Sequence, residues 1–391
     1  MTIDIEAVRA DTPACRDLIH FNNAGAALQP TCVVESVIEH LRLEAKIGGY
    51  EAQDAAGQAR ARTYAASARL LNCAPEEVAM TTGASEAWWR AFQSVPLGPG
   101  DRVLASRAEY NSNAFALIQA ARTGIVVDIV PDGADGQIDL DALASMLDDR
   151  VKLVTLTHAP TSGGLVNPAE EVGAIVKQHG ALYLLDACQT AGQRVLDVDE
   201  IQCDFLAFTG RKFVRGPRGT GALYVRATSM AGLDDPTFID SHSAEWVSET
   251  DYSLYPGATR YELFESTIAA QIGLGTAIEY ALALGIAEIQ TRTTALAVRL
   301  REMLEGIDRA HIHDQGRERS GIVVFGIDGA DAGDVVVGLR RNTINTSVAS
   351  SVTSQLDLGA RGIDAGIRAS VHYYNTESEQ DRFIEVLSGL L

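Results

Sequence analysis

The sequence predicts an α/β protein with a mostly parallel, seven-stranded sheet in a large domain and a smaller α/β domain towards the C-terminus. Short apolar runs alternate with longer helical patterns along the chain, which is typical of this fold class. The 391 residues exceed the usual size of one domain. Hydrophobic residues make up 46% and charged residues 21%, so we expect an ordinary globular core rather than a disordered chain.

Apolar runs predict the seven strands of the large sheet. They are residues 78–81, 102–105, 126–130, 153–157, 182–186, 205–209 and 222–225. Helical patterns lie between several of these runs, at residues 85–94, 113–123, 140–147 and 168–179. Each pattern is long enough to connect two parallel strands by a crossover. A mostly parallel sheet with helices on both faces follows.

The pattern changes after Val225. An irregular, aromatic-rich stretch at 234–259 leads into a long helical pattern at 266–307. The smaller unit then shows strands at 321–325 and 367–372, a helix at 332–341 and a last helix from Glu377. We therefore divide the chain into an N-terminal segment, 1–20, a large domain, 21–260, and a long helix with a small domain, 261–391. We expect residues 1–20 to pack against the small domain or a partner subunit.

Charge and cysteine content exclude several classes of function. The formal charge of −20 opposes binding to nucleic acids and to anionic membranes. Asp4 and Glu6 do not suit a signal peptide, and we find no apolar window long enough for a spanning helix. The five cysteines form no CxxC pair, and their odd number suits reduced thiols. We expect a cytoplasmic protein without a metal site, because His158 and His372 lack a cluster of further ligands.

The first chemical motif, TTGASE at residues 81–86, ends a strand and opens a helix. The free N–H groups and the positive dipole at a helix start bind anions, and Ser85 adds a hydroxyl group. The other interpretation is a capping serine in a tight turn, which by itself is common. The motif therefore marks a candidate phosphate site.

Two further motifs follow later strands. Asp186 ends an apolar strand, where it either caps a helix or holds the ring N–H of an electron-sink cofactor, with Gln189 close by. Lys212 follows the strand 205–209 and precedes the glycine-rich GPRGTG loop, 216–221. A lysine in a desolvated, cationic neighbourhood can act as a Schiff-base amine, and the alternative is a basic loop that binds any anion.

The order of these motifs resembles the pyridoxal-phosphate (PLP) enzymes of aminotransferase class V, which include cysteine desulfurases and isopenicillin N epimerase-like proteins. FNNAG at 21–25, EYNSN at 109–113 and RASVHYYNT at 368–376 extend the resemblance over nearly the whole chain. It implies PLP fold type I and a homodimer with the active site at the subunit interface. It also implies an amino acid as the small-molecule substrate.

The resemblance implies a role for each matching residue. Lys212 would bind the cofactor covalently and move protons at the substrate Cα, and Asp186 would pair with the ring nitrogen. Arg368 would bind the substrate carboxylate through its bidentate fork, with Asn23 also in the substrate site. The remaining cofactor-binding residues would be Gly83, Ala84, Ser85, Tyr110, Thr161, Gln189, Thr209 and Arg211. Tyr110, Arg211 and Thr161 stand where many relatives carry His, His and Asn.

One departure decides the expected reaction. Cysteine desulfurases carry a mobile-loop cysteine ahead of the segment that matches Arg368, whereas residues 346–354 here read TSVASSVTS and no cysteine follows Cys203. We therefore expect a PLP-dependent C–S lyase that cleaves a cysteine S-conjugate, or its sulfoxide, by β-elimination in a biosynthetic pathway. The alternatives are a decarboxylative oxidative deaminase of a cysteine conjugate, an epimerase, an aminotransferase, and a non-catalytic PLP-binding protein.

Overall fold

The computed structural model describes residues 3–391. Its α-helices are α1 (Ile5–Ala10), α2 (Thr31–Ile47), α3 (Gly49–Ala55), α4 (Gly57–Leu71), α5 (Ala84–Ser94), α6 (Asn111–Arg122), α7 (Leu140–Met146), α8 (Ala169–His179), α9 (Val198–Ile201), α10 (Ile268–Leu284), α11 (Ile286–Glu305), α12 (Ala332–Arg341) and α13 (Glu377–Leu390). Its strands are β1 (Ile19–His20), β2 (Val78–Thr81), β3 (Arg102–Ala105), β4 (Val126–Ile129), β5 (Val151–Thr157), β6 (Leu182–Asp186), β7 (Phe205–Thr209), β8 (Gly221–Val225), β9 (Ala244–Ser248), β10 (Asp251–Leu254), β11 (Ala310–Ile312), β12 (Ile322–Ile327), β13 (Ile344–Asn345), β14 (Ser347–Ser350) and β15 (Ala365–Ser370).

The large sheet has seven strands in the order β2-β8-β7-β6-β5-β3-β4. Strand β8 runs antiparallel to both of its neighbours, and the other neighbouring pairs are parallel. The predicted fold class, with a mostly parallel seven-stranded sheet, is confirmed. The carboxyl ends of the parallel strands meet at one edge, which is where such sheets bind ligands.

Both faces of this sheet are buried, and the alternation of side chains along its strands shows why. In β6, Tyr183 and Leu185 belong to one hydrophobic cluster, whereas Leu184 belongs to the cluster on the opposite face. In β7, Phe205 and Leu206 divide in the same way. Since successive side chains of a strand point to opposite faces, a strand covered on both sides needs an unbroken apolar run. These two strands therefore form a rigid platform beneath the residues that follow them.

The C-terminal part of the chain contains a four-stranded antiparallel sheet in the order β11-β12-β15-β14. Residues 3–20 contact this part of the molecule. Ile19 pairs with Ile344 in the short β1–β13 ladder, and Arg9 forms an ion pair of 2.7 Å with Glu379. The N-terminal segment therefore packs against the C-terminal part of the chain, through β13 and α13.

The sequence predicts one long helix at 266–307, and this prediction is wrong. The stretch forms α10 and α11, which meet at an angle of 80°. Gly285 separates them with a φ of 88°, a left-handed conformation that favours glycine and ends the helix. The stretch 234–259 also contains a regular element that the sequence analysis misses, the β9–β10 hairpin.

No single helix within residues 3–391 has the length and apolarity needed to cross a membrane. The α10–α11 pair reaches that composition only when both bent helices are counted together.

Candidate active site

A cavity of about 210 Å³ lies beyond the carboxyl ends of β6 and β7, against the start of α5. Eight of the predicted site residues line it: Gly83, Ala84, Ser85, Tyr110, Asp186, Thr209, Arg211 and Lys212. The cavity is also lined by Thr82, Glu86, Asn113, Cys188 and Gly219. Residues as far apart in the chain as Thr82 and Gly219 thus converge on one small polar space.

Lys212 is the most distinctive residue in this cavity. The sequence contains four lysines, and Lys46, Lys152 and Lys177 are exposed whereas Lys212 is 5% exposed. Its Nζ lies 3.1 Å from Cys188 Sγ and 5.8 Å from the centre of the Tyr110 ring. A buried amine that has only a thiol as its hydrogen-bond partner within residues 3–391 is available for covalent chemistry.

Asp186 is a buried carboxylate at the end of β6. Its Oδ1 accepts a hydrogen bond of 2.9 Å from the backbone N–H of Cys188, and its Oδ2 accepts one of 2.9 Å from Asn113 Nδ2. No side-chain cation in residues 3–391 forms an ion pair with it. Burial raises the pKa of Asp186, and the hydrogen bonds from Asn113 and Cys188, together with the positive charge of Lys212, oppose that rise. The carboxylate is therefore prepared for a cationic partner in the cavity.

The wall opposite Asp186 is built for an anion. The first turn of α5 presents N–H groups that have no acceptor within the helix, and Ser85 and Thr209 add hydroxyl groups. Gly221 lets this wall close up, because a Cβ there would lie 2.5 Å from the carbonyl oxygen of Phe208 and 2.7 Å from Gly83 Cα. The guanidinium of Arg211 also lines the cavity, although in the structure it donates to the carbonyl oxygen of Gly25.

A second cluster joins Gln189, Thr161 and Arg368. Gln189 Nε2 donates to Thr161 Oγ1 at 3.0 Å, and Arg368 Nη1 donates to the same oxygen at 2.6 Å. Thr161 thus bridges two predicted site residues, Gln189 in the turn after β6 and Arg368 on β15. Gln189 Oε1 is buried without a hydrogen-bond partner in the described chain, so a donor from a bound molecule would satisfy it.

The side chain of Arg368 is half-buried, with its Nε fully enclosed, and it has no carboxylate partner in residues 3–391. Its contacts are the backbone and side-chain oxygens of Thr161 and, at 3.2 Å, Asn22 Oδ1, while its Nε has no partner there. Burial lowers the pKa of Arg368 to about 10, with a further contribution from Arg211. A half-buried cation that lacks a counter-ion and keeps an unused donor is a natural site for a carboxylate.

The structure does not bring Asn23 to this cluster, in contrast to its predicted substrate-binding position. Its Nδ2 donates to the carbonyl oxygens of His20 and Ser370, and its Oδ1 accepts from the Tyr374 hydroxyl. These internal bonds occupy the amide completely. The neighbouring Asn22 contacts Arg368 instead, because the turn at 22–26 points successive side chains in different directions.

Comparison with known proteins identifies the family. Residues 19–383 match the aminotransferase class-V family. The chain belongs to that family. A probable cysteine desulfurase of Xylella fastidiosa (strain Temecula1) is 33% identical over 404 residues, which cover 98% of this chain and 95% of that protein. A probable cysteine desulfurase of Methanothermobacter thermautotrophicus is 29% identical over 98% of both chains.

The class-V fold of this chain is also found in a solved structure. The apo structure of a cysteine desulfurase from Thermococcus onnurineus NA1 superimposes with a TM-score of 0.92 at 27% identity, and the match covers 100% of this chain and 98% of that one. The fold type that the sequence predicts is thereby confirmed, and the family match confirms the resemblance and, with it, PLP as the cofactor of the family. The chain is a PLP-dependent lyase of the aminotransferase class-V family, as predicted.

Four residues of the class-V site escaped the sequence analysis as site residues. They are Asn22, Glu109, Asn113 and Cys188. The motif EYNSN contains two of them, and its helix-start position after β3 was a usable signal. For Cys188 the structure supplies the evidence, since it sets the thiol against the Lys212 amine.

Proposed function

We propose that this enzyme is a C–S lyase that cleaves an S-substituted cysteine, or its sulfoxide, by β-elimination. The observation that carries the proposal is the lack of a cysteine in the segment 346–354, which lies next to Arg368 and Ser162. The segment 346–354 contains hydroxyl and apolar side chains, and Ser354 Oγ lies 2.9 Å from Ser162 Oγ, next to Thr161. Cleavage of a C–S bond is the chemistry that the desulfurase relatives suggest, and elimination is the form of it that needs no enzyme thiol.

The cavity fits PLP by the chemistry of its donors. Lys212 would offer an amine to the aldehyde carbon, and the buried carboxylate of Asp186, which forms no ion pair within residues 3–391, suits a protonated ring nitrogen. The start of α5, with Ser85, suits the phosphate group, and the unpartnered Gln189 Oε1 suits a hydroxyl donor. The Tyr110 ring lines the cavity near Lys212 Nζ and would cover one face of the cofactor ring.

When bound, PLP stabilises the negative charge that develops at the substrate Cα as a proton leaves. The protein's part is to bind and orient the substrate. Arg368 would donate to the substrate carboxylate through its free Nε and its Nη2, while Thr161 and Asn22 fix the plane of the guanidinium. Orientation of the Cα–H bond towards Lys212 follows from this anchor.

Lys212 would then act as the base that takes the Cα proton, and the buried Asp186 would hold a proton on the ring nitrogen of the bound cofactor. The C–S bond breaks and the sulfur leaves with its own substituent, as a thiolate or a sulfenate. The remaining three-carbon fragment hydrolyses to pyruvate and ammonium. No oxidant and no second enzyme nucleophile enters this sequence.

The positions of the cysteines support elimination over transfer of sulfur to the enzyme. Of the five, only Cys188 lines the cavity. Cys203 is fully buried just before β7, at the end of the strand opposite to the cavity. Burial raises the pKa of Cys188, which keeps it a thiol rather than the thiolate that attacks sulfur.

The test of the proposed function is a product analysis. The purified enzyme is incubated with S-methylcysteine, S-benzylcysteine, their sulfoxides and free cysteine, and pyruvate, ammonium, thiol, alanine, carbon dioxide and hydrogen peroxide are measured. We expect pyruvate, ammonium and thiol or sulfenate in equal amounts from at least one conjugate. Carbon dioxide with hydrogen peroxide and no pyruvate would instead identify a decarboxylative oxidative deaminase, and an exchanged Cα proton without cleavage an epimerase.

A substitution of Arg368 tests the carboxylate anchor. Arg368→Lys keeps the charge but loses the planar fork, so we expect the KM for the conjugate to rise at least about tenfold. The absorption spectrum of the enzyme with bound cofactor, recorded without substrate, is expected to stay unchanged. Arg361→Lys is the control, because Arg361 pairs with Asp357 outside the cavity. Equal kinetics for the Arg368 variant and the wild type would remove Arg368 from the substrate site.

The expected homodimer, the cytoplasmic location and the division of the chain near residue 260 stay predictions. An exposed aromatic group on the β9–β10 hairpin, which includes Trp246 and Tyr252, is a candidate contact between two copies.

A further inference from the structure

A second buried carboxylate lies behind Asp186. Glu109 is 5% exposed and lies between β3 and α6, in hydrogen-bond contact with Asn113, which lines the cavity. Nothing in the reaction described above uses it. Burial of a carboxylate away from water lowers the stability of the folded protein unless its partners compensate for the lost hydration. A buried carboxylate this close to the cavity is therefore expected to have a role.

The partners of Glu109 are all hydrogen-bond donors. Thr155 and Ser106 hydroxyls lie 3.2 and 3.3 Å from its Oε1, and the Thr157 hydroxyl lies 2.9 Å from its Oε2. Asn113 Nδ2 donates to the same Oε2 at 3.1 Å. The nearby Arg107 pairs with Asp132 instead, so no cation neutralises Glu109.

Asn113 connects the two carboxylates. It is 1% exposed, and the nitrogen that donates to Glu109 also donates to Asp186 Oδ2 at 2.9 Å. Each N–H of the amide therefore has its own carboxylate oxygen. If the Asn113 amide turned by 180°, its Oδ1 would face the two carboxylate oxygens and repel them. The two carboxylates therefore fix the amide with its Nδ2 towards them.

We propose that Glu109 is a positioning residue that acts through Asn113 to hold Asp186 in line with the ring nitrogen of the cofactor. Without the Glu109 acceptor, one Asn113 N–H is buried and unpaired, and the side chain gains by turning to another partner. Asp186 then loses its bond at Oδ2 and rests on the Cys188 N–H alone. The carboxylate becomes free to rotate, and the ring nitrogen loses a fixed acceptor for its proton.

The electrostatics act in the same direction. Burial raises the pKa of Glu109 to about 7, and the neighbouring Asp186 contributes to that rise. Two buried carboxylates that share one hydrogen-bond network favour the protonated, cationic form of a basic group next to them. In the cavity that group would be the ring nitrogen of the bound cofactor. This inference rests on the proposed roles of Lys212 and Asp186.

The test measures the protonation of the ring nitrogen directly. Wild-type enzyme and its variants are loaded with PLP labelled with ¹⁵N at the ring nitrogen, and the ¹⁵N chemical shift is recorded between pH 6 and pH 9. The dissociation constant for PLP is measured by fluorescence. For Glu109→Met we expect a shift towards the unprotonated value and an affinity at least tenfold weaker. Glu109→Gln keeps a carbonyl oxygen for Asn113 and is expected to restore most of the wild-type signal.

Two further variants separate positioning from a general loss of stability. Glu262 is also a buried carboxylate, 3% exposed, and it binds the Tyr64 hydroxyl and the Met80 N–H outside the cavity. Glu262→Met is expected to lower the unfolding temperature without moving the ¹⁵N signal. Where Glu109→Met does not fold, Asn113→Leu interrupts the same connection at its centre and is expected to move the signal equally.

The outcomes distinguish this inference from the proposed function. Asp186→Asn is expected to move the ¹⁵N signal fully to the unprotonated value. An unchanged signal in Asp186→Asn would overturn the assignment of Asp186 itself. A moved signal in Asp186→Asn with an unchanged one in Glu109→Met, or in Asn113→Leu where that variant replaces it, would overturn only the role of Glu109.

Discussion

Lys212→Ala is expected to abolish covalent attachment of PLP and to lower turnover of an S-substituted cysteine by about a thousandfold. The reason is that one side chain supplies both the amine that binds the aldehyde and the base that faces Cα. Borohydride reduction followed by peptide mapping measures the first effect. In the wild type, the label is expected on the tryptic peptide that contains Lys212, and in the variant no labelled peptide is expected.

The chain offers an unusually clean control for this experiment. Only three other lysines exist, and all three are exposed, at 46, 152 and 177. Lys177→Ala is therefore expected to keep the reducible cofactor and the activity. A label that moves to another lysine in Lys212→Ala, with activity retained, would contradict the assignment. A colourless variant that also unfolds at a much lower temperature would call for Lys212→Arg as a second test of the same position.

The sequence allowed the large sheet to be predicted because its strands are covered on both faces. Phe205 and Leu206 point to opposite clusters, and both are buried, so the apolar run has no gap. Polar residues at the end of such a run, such as Asp186, stand out for the same reason. Burial on both sides thus made the sheet and the residues at its edge readable together.

Other features could not be read from the pattern. Gly285 interrupts an apolar helical stretch in which a glycine is often tolerated, and only its left-handed backbone reveals the break between α10 and α11. The β9–β10 hairpin exposes Trp246 and Tyr252, so it lacks the buried face that would mark its strands. The alternation of apolar and polar residues reveals a strand only when one face of that strand is buried, so it does not reveal an exposed hairpin.

The site shows the same limit at the level of single side chains. Asn22 and Asn23 are adjacent and chemically identical, yet Asn22 contacts Arg368 and Asn23 is enclosed by Tyr374 and the backbone. Which of the two faces the substrate depends on the backbone turn, and composition carries no information about it. The Glu109–Asn113 connection is hidden similarly, because its members lie on α6 and the loop before it and reach β6 only in three dimensions.

The sharpest expectation is that the enzyme does not form a persulfide from free cysteine. In a desulfurase cycle an enzyme thiolate attacks the substrate sulfur, the C–S bond breaks, and the carbon skeleton leaves as alanine. Here the segment 346–354, beside Arg368 and Ser162, offers hydroxyl groups, which are not nucleophilic enough near neutral pH to replace a thiolate. We therefore expect alanine below detection from cysteine, under conditions in which an S-substituted cysteine yields pyruvate.

Cys188 is the one thiol that could take over this role, and its surroundings oppose it. Its Sγ contacts Lys212 Nζ, and its backbone N–H is bonded to Asp186, so movement towards a substrate sulfur would break the contacts that hold the cavity together. Cys188→Ala removes the thiol but keeps the backbone donor, and we expect it to retain most of the pyruvate formation. Mass spectrometry of the intact protein after incubation with cysteine would detect a persulfide on Cys188, which is the result that would contradict this expectation. A 32-Da adduct that is present in the wild type, absent in Cys188→Ala and matched by alanine release would establish a desulfurase with a relocated nucleophile. Pyruvate from the conjugate in both proteins, without that adduct, leaves elimination as the reaction that this arrangement of Lys212, Asp186 and Arg368 performs.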